Sequence, residues 1–161
     1  PIQVMNPYEI GSDLVSNALA AFTFFRDRCV VVDFGTALTF TTISAEGEIL
    51  GVSIAPGLKT AIRSLSQNTA QLFDVPLEMP ASALGRGTVH AIQAGVLFGY
   101  EGMVRHMLGR IRSELNEPAL SPVATGGLSS IIPSLSSVFT HIDPNLTLNG
   151  LRIVTEYTIE H

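Results

Sequence analysis

Apolar positions along the chain follow two rhythms. Over residues 13–25, Leu14, Val15, Ala18, Leu19, Ala21, Phe22 and Phe25 recur at helical spacing, which predicts a buried helix with Ser12 and Asp13 as N-cap candidates. The rhythm then tightens. Residues 29–34, 38–43 and 49–54 read as three strands, the last two joined by a turn at Ala45-Glu46-Gly47-Glu48. The first of these is mostly β-branched, as in a central strand covered on both faces. Ala55-Pro56-Gly57 ends the meander and opens a helix near 58–69, followed by a proline-bearing loop over 75–80. Residues 88–115 form the longest helical stretch, with potential interruptions at Gly95, Gly99 and Gly109. A strand over 122–125 runs into Gly126-Gly127 and a short helix, and the β-branched run over 151–158 predicts a terminal strand. The chain has no internal repeat.

Composition narrows the function classes. A net charge of −5 with no basic run argues against nucleic acid as a partner, since nothing would neutralise phosphates in bulk. With 46% hydrophobic and only 14% charged residues, the surface is apolar for a soluble monomer and implies a buried interface. The single cysteine, Cys29, lies in the expected core strand, which excludes a disulfide framework or a cysteine metal site and fits a reducing, cytoplasmic setting. No membrane partner is expected: no apolar run reaches the roughly 20 residues that span a bilayer, and His90, Gln93, Glu101 and Arg105 interrupt the long helix. At 161 residues the chain fits one domain. It opens at Pro1-Ile2-Gln3-Val4, already strand-like and without methionine, and so reads as a fragment.

Candidate chemistry concentrates at the end of the first strand. Asp33 closes a buried run, where a lone carboxylate is costly unless a cation, a donor or a ligand compensates it. Gly35 and Thr36 follow, and could offer backbone N–H groups and a hydroxyl to a phosphate, while Thr39, Thr41 and Thr42 occupy the next strand. Asp33 serving its own turn, with the threonines as ordinary strand residues, is the competing reading. A protein-kinase assignment of Asp33-Phe34-Gly35 fails, because the catalytic loop and the lysine-bearing strand that should precede it are absent. Gly85-Arg86-Gly87 lacks the preceding strand and third glycine of a dinucleotide loop. The histidines show no ligand spacing, and Arg105, Arg110 and Arg112 are expected on the solvent face of the long helix. Gly95 and Gly99 suggest a close helix contact, either in the core or at a homodimer seam.

Three meandering strands followed by alternating helices and strands is the order of a ribonuclease-H-like α/β domain. The sugar-kinase, Hsp70 and actin (ASKHA, actin-like ATPase) superfamily pairs two such domains around a nucleotide, and one copy fits here. Within that class the chain resembles the type III pantothenate kinases. The resemblance rests on six ordered segments: residues 6–13 (NPYEIGSD), 33–39 (DFGTALT), 54–58 (IAPGL), 84–88 (LGRGT) with Gln93-Ala94-Gly95, 124–128 (ATGGL) and 143–151 (DPNLTLNGL).

The resemblance implies ATP-dependent phosphorylation of pantothenate in the first step of coenzyme A synthesis, with Mg2+ and a monovalent cation, K+ or NH4+. It makes Asp13 the general base, with helix capping as the alternative. Tyr8, Gly11, Ser12 and the residue at Leu14 would shape the pantothenate pocket, and Thr88 would contact pantothenate or else cap the long helix. Asp33 would hold the monovalent cation; Gly35 and Thr36 would contact ATP; Thr125, Gly126 and Gly127 would lie near the adenosine. Family members are typically homodimers. Two departures stand out: Leu14 occupies the position of a family arginine, and the family's first phosphate motif, aspartate-glycine-asparagine-threonine, does not occur. Residues 1–161 are therefore expected to be a single C-terminal domain with a preceding linker helix over 13–25, catalytically incomplete alone. The alternatives are a non-catalytic accessory or transcription-regulating member of the family and a kinase for another hydroxylated metabolite.

Overall fold

A computed structural model describes residues 10–67 and 75–160; Pro1-Ile2-Gln3-Val4, Tyr8 and the expected helix end at Thr69 lie outside the described residues. A first helix, α1 (Ser12–Phe25), leads to strands β1 (Cys29–Phe34), β2 (Ala37–Ile43) and β3 (Ile49–Pro56). Helices α2 (Leu58–Gln67) and α3 (Thr88–Leu115) follow, then β4 (Ser121–Thr125), a 3-10 turn at Pro133–Leu135, β5 (His141–Ile142) and α4 (Leu146–Glu160).

The five strands form one sheet in the order β3-β2-β1-β4-β5. The meander is antiparallel, while β4 and β5 add parallel to β1, so β1 is central. Alternation along β1 sends Val30, Val32 and Phe34 to one face, where they meet Leu58 and Ile62 of α2 and Leu97, Val104 and Leu108 of α3. Cys29 and Val31 point the other way, onto Ala18, Ala20 and Ala21 of α1 and Leu146 of α4. Both faces are covered, which is why β1 reads as a continuous apolar run. The β2–β3 turn closes as expected: Gly47 has φ +81°, and the Ser44 hydroxyl accepts the N–H groups of Glu46 and Glu48.

Five expectations need correction. The segment expected as a terminal strand over 151–158 is part of α4. Its β-branched residues look strand-like, but Asp143 accepts Asn145 N–H at 2.8 Å and the Asn149 amide at 2.9 Å, seeding a helix whose Leu146 and Ile153 pack on the α1 side. The hydroxyls of Thr155 and Thr158 bond back to Leu151 and Val154 carbonyls within that helix. At α1, Gly11 occupies the N-cap and no side chain caps it, so Ser12 and Asp13 begin the helix rather than cap it. Helix α3 runs unbroken through its glycines, and a Cβ at Gly95 or Gly99 would meet no atom of the described residues within 4 Å, so among those residues the core alternative for a close helix contact is not made. Arg112 turns inward, donating to the Leu120 carbonyl from Nε and Nη2 at 3.3 and 3.0 Å and so pinning α3 to the start of β4. The short helix expected after Gly127 is reduced to turns and the 3-10 segment.

An apolar surface is present on α4, where Leu148, Leu151, Val154, Tyr157 and Ile159 are exposed. Among the described residues no helix is long and apolar enough to cross a membrane.

Candidate functional site

The C-terminal end of β1 gathers most of the residues singled out in the sequence. Asp33 pairs in register with Thr39 on β2 and with Thr125 on β4, so the three side chains share the sheet face covered by α1. Its carboxylate is half-buried, and Oδ2 accepts a hydrogen bond from the Asn17 amide at 2.9 Å. Burial holds the Asp33 carboxyl above its ordinary range; the Asn17 bond works against that shift and the nearby Asp13 charge adds to it.

Close backbone approaches shape the space around this carboxylate. Gly35 turns the chain from β1 to β2, its N–H donating to the Ala37 carbonyl. Gly57 N–H and the Thr60 hydroxyl both donate to the Thr36 carbonyl, at 3.0 and 2.8 Å, tying the start of α2 to that turn. A Cβ on Gly57 would sit 2.3 Å from the Gly35 carbonyl oxygen, so only glycine fits. Gly126 has φ +90°, and a Cβ there would lie 2.6 Å from Asp33 Oδ1. A cavity of about 290 Å³ opens beside these turns, lined by Gly35, Thr36, Gly127 and Leu128 on one side and Lys59, Thr60 and Arg63 of α2 on the other.

A monovalent cation, the group the family resemblance implies, can be tested against this donor set. Among the described residues the buried Oγ1 atoms of Thr39, Thr41 and Thr125 find no hydrogen-bond partner, an arrangement that costs stability unless something polar meets them, and of the three Thr39 and Thr125 are the ones beside Asp33. They flank Asp33 in the register. One carboxylate and two orphaned hydroxyls suit a hard cation with oxygen ligands, so the residues present fit the group.

Asp13 is exposed in the first turn of α1, one helical turn before Asn17, with Ser12 Oγ 3.5 Å from its Oδ1. Gly11 and Ser12 are exposed ahead of it and Leu14 is half-buried just after. Tyr8 lies outside the described residues. Thr88 is exposed at the first position of α3; Gly87, not Thr88, is the N-cap, and the cavity beside Thr36 does not include Thr88. The structure thus brings Asp13, Asp33, Gly35, Thr36, Thr125, Gly126 and Gly127 to one end of the sheet, where Gly35, Thr36 and Gly127 line the cavity, and Thr88 does not line it.

Sequence reasoning missed Asn17, Lys59 and Arg63. Asn17 was detectable as a polar residue on the small apolar face of α1, four residues after Asp13. Lys59 and Arg63 share one face of α2 by their spacing, but nothing in the sequence aims that face at the β1–β2 turn.

Comparison with known proteins follows the same lines. The sequence profile described as type III pantothenate kinase matches residues 1–110. A type III pantothenate kinase of Treponema pallidum (strain Nichols) is 50% identical over 153 residues, 94% of this chain and 55% of the relative. One from Anaeromyxobacter dehalogenans (strain 2CP-C) is 47% identical over 156 residues, 97% of this chain and 61% of the relative. The chain spans about half the length of the curated relatives it matches. Among solved structures, a Campylobacter jejuni protein of the Baf family, named as a transcriptional activator, has a TM-score of 0.66 at 23% identity, covering 100% of this chain and 70% of that one. That likeness concerns the fold.

Proposed function

The chain belongs to the type III pantothenate kinase family, and from that premise we propose that it carries the acceptor-side base and one wall of the nucleotide site of a kinase that phosphorylates pantothenate with ATP. The observation that carries this reading is the convergence at the end of β1: two carboxylates near enough for one to feel the other's charge, a glycine turn with a hydroxyl, and a cavity with two cationic side chains on its far wall.

Phosphoryl transfer demands positioning and charge neutralisation more than covalent help. Asp13, exposed and in reach of an incoming alcohol, takes the proton from the primary hydroxyl of pantothenate. Lys59 and Arg63 face the phosphates across the cavity, and Thr36 with the Gly35 backbone meets them from the β1–β2 turn. Gly126 and Gly127 leave room for the adenosine to lie close to the backbone. Asp33, with the Thr39 and Thr125 hydroxyls, holds the potassium or ammonium ion. That ion and Mg2+ supply neutralisation of phosphate charge when bound. We place residues 1–161 as a C-terminal ASKHA half with its leading helix. The first phosphate motif is to be supplied from outside these residues, and Thr88 is to act on a pantothenate pocket bordered by a second copy in a cytoplasmic homodimer.

The test is a kinase assay on the full-length protein with ATP, Mg2+ and K+. Asp13→Asn should lower kcat by about 10²- to 10⁴-fold, the usual contribution of a general base, with little change in thermal stability because Asp13 is exposed. Absence of pantothenate phosphorylation by the wild type would sink this reading. Leu14 supports a second one, a non-catalytic member of the family, because leucine cannot make the bidentate contacts of the family arginine to an anionic substrate. Activity appearing only in Leu14→Arg would favour that reading, and an active wild type would remove it.

A further inference from the structure

Asn17 is 0% exposed, a polar side chain set among Ala18, Ala20 and Ala21 of α1. Buried amides are kept in place by what they bond to, and both ends of this one are engaged. Nδ2 donates to Asp33 Oδ2 at 2.9 Å, and Oδ1 accepts from the Thr147 hydroxyl at 2.7 Å. The direction of this relay is dictated by chemistry. An ionised carboxylate only accepts, so Asn17 must turn its NH2 toward Asp33; its carbonyl is then left for Thr147, which must donate.

Thr147 is held firmly enough to anchor the amide that the carboxylate has oriented. It sits in the first turn of α4, which Asp143 seeds and whose Leu146 is fully buried. One turn later, Gly150 presses so closely on α1 that an added Cβ would fall 2.0 Å from the carbonyl oxygen of Ser16, the residue before Asn17. The two helices are therefore clamped at the level of the relay. At the other end, with Oδ2 taken by Asn17, Oδ1 of Asp33 faces the narrow gap between Gly35 and Gly126, whose ideal Cβ positions lie 3.5 and 2.6 Å from it.

We propose that Asn17 and Thr147 are positioning residues: together they commit one oxygen of Asp33 to the protein and aim the other at the monovalent cation. The inference rests on the reading of Asp33 as a cation ligand given above. Without the Thr147 hydroxyl, Asn17 Oδ1 is left buried with no donor and the amide loses its anchor on α4, so its NH2 still bonds Asp33 but no longer holds the carboxylate at one angle to the gap. Helix α4, which supplies no residue to the cavity beside Thr36, thereby acts on the site through a single hydroxyl.

The experiment compares full-length wild type with Thr147→Val, Thr147→Ser, Asn17→Ala and Asp33→Asn in two readouts. One is the K+ concentration giving half-maximal kinase activity, set against KM for pantothenate. The other is the K+ concentration giving half-maximal rise in Tm, titrated from a tetramethylammonium buffer, which needs no turnover. Thr147→Val, nearly the same shape without the hydroxyl, should raise both K+ midpoints about tenfold, equivalent to about 1.4 kcal/mol, and leave KM for pantothenate within about twofold. Asn17→Ala should match or exceed that shift, and Thr147→Ser should restore the wild-type midpoint. A merely structural role would lower Tm without K+ and leave the midpoints in place. Unchanged midpoints in Thr147→Val, with a wild type that responds to K+ and an Asp33→Asn that does not, would overturn the relay and leave the cation reading standing. A K+ response equal in wild type and Asp33→Asn would overturn both.

Discussion

For folding, Gly126 should be irreplaceable and its neighbour Gly127 expendable, because the backbone makes opposite demands at the two positions. Gly126 has φ +90°, and a Cβ there would lie 2.6 Å from Asp33 Oδ1 and 2.7 and 2.8 Å from the backbone C and N of Phe34. A positive φ costs an ordinary residue about 1–2 kcal/mol. Two of the three close atoms belong to the backbone of the central strand, which is paired on both sides and cannot give way; overpacking of this kind costs about 1–3 kcal/mol more. Gly126→Ala is therefore expected to lose about 2–5 kcal/mol, which at roughly 2–4 °C per kcal/mol for a domain of this size means a fall in Tm of about 4–20 °C. A Cβ on Gly127, by contrast, meets no atom of the described residues within 4 Å, and its φ is not positive. Gly127→Ala should stay within about 0.5 kcal/mol of wild type, or gain slightly from a less free unfolded chain. Thermal and urea unfolding followed by circular dichroism give both values, with unchanged m-values as the check that the unfolded state is the same. Equal Tm values for the two variants, or a larger loss at Gly127, would refute the assignment of Gly126 as the residue on which the end of β1 closes.

Three further expectations follow from burial and packing. Burial raises the Asp33 pKa in the folded state, so this group favours folding below the ordinary aspartate pKa of about 4 and loses that contribution as pH rises through its raised value. Asp33→Asn, compared with wild type in potassium-free buffer, should thus be the more stable at pH 7 and indistinguishable near pH 3; a gap that widens on acidification would contradict the direction of the shift. The Cys29 thiol, fully buried and pushed up to about 12 mainly by desolvation, should resist iodoacetamide at pH 8 in the native protein and alkylate once unfolded in urea, and fast native labelling would place it elsewhere than in the core. At Gly150 an added methyl meets the Ser16 backbone at 2.0 Å, so Gly150→Ala should cost about 3 kcal/mol or more by prising α4 from α1, whereas Gly109→Ala in α3, where a Cβ meets no atom of the described residues within 4 Å, should stabilise by up to about 1 kcal/mol in the same unfolding assay.

Where a segment's neighbours in sequence are also its neighbours in space, the chain was readable in advance. The meander is the clearest case. Cys29–Phe34 carries apolar residues on both faces, Gly47 takes the positive φ of the hairpin turn, and the run from Thr88 to Leu115 keeps one helical period throughout. The segments around Asp33 and Gly126 were legible for the same reason, as a carboxylate and a glycine pair at the ends of apolar strands that pair in parallel. Helix α4 was not readable. Ile153, Val154, Thr155, Tyr157, Thr158 and Ile159 have the residue types of a strand, and the segment folds as a helix because Asp143 seeds it and α1 offers Leu146 and Gly150 a surface to pack on. Arg112 looked solvent-facing until the start of β4 brought the Leu120 carbonyl beneath it.

The sequence by itself determined the layered α/β class, the central strand and the residue types at the end of it, because burial on two faces and local turn chemistry are written in nearest neighbours. Only the tertiary structure decided which partner each polar group has: that Asn17 bridges Asp33 to a hydroxyl 130 residues away, that Lys59 and Arg63 face the β1–β2 turn, and that Thr39 and Thr125 beside Asp33 find no partner among the described residues. Those assignments depend on how helices cross a sheet, and crossing geometry is set by packing between segments far apart in the chain.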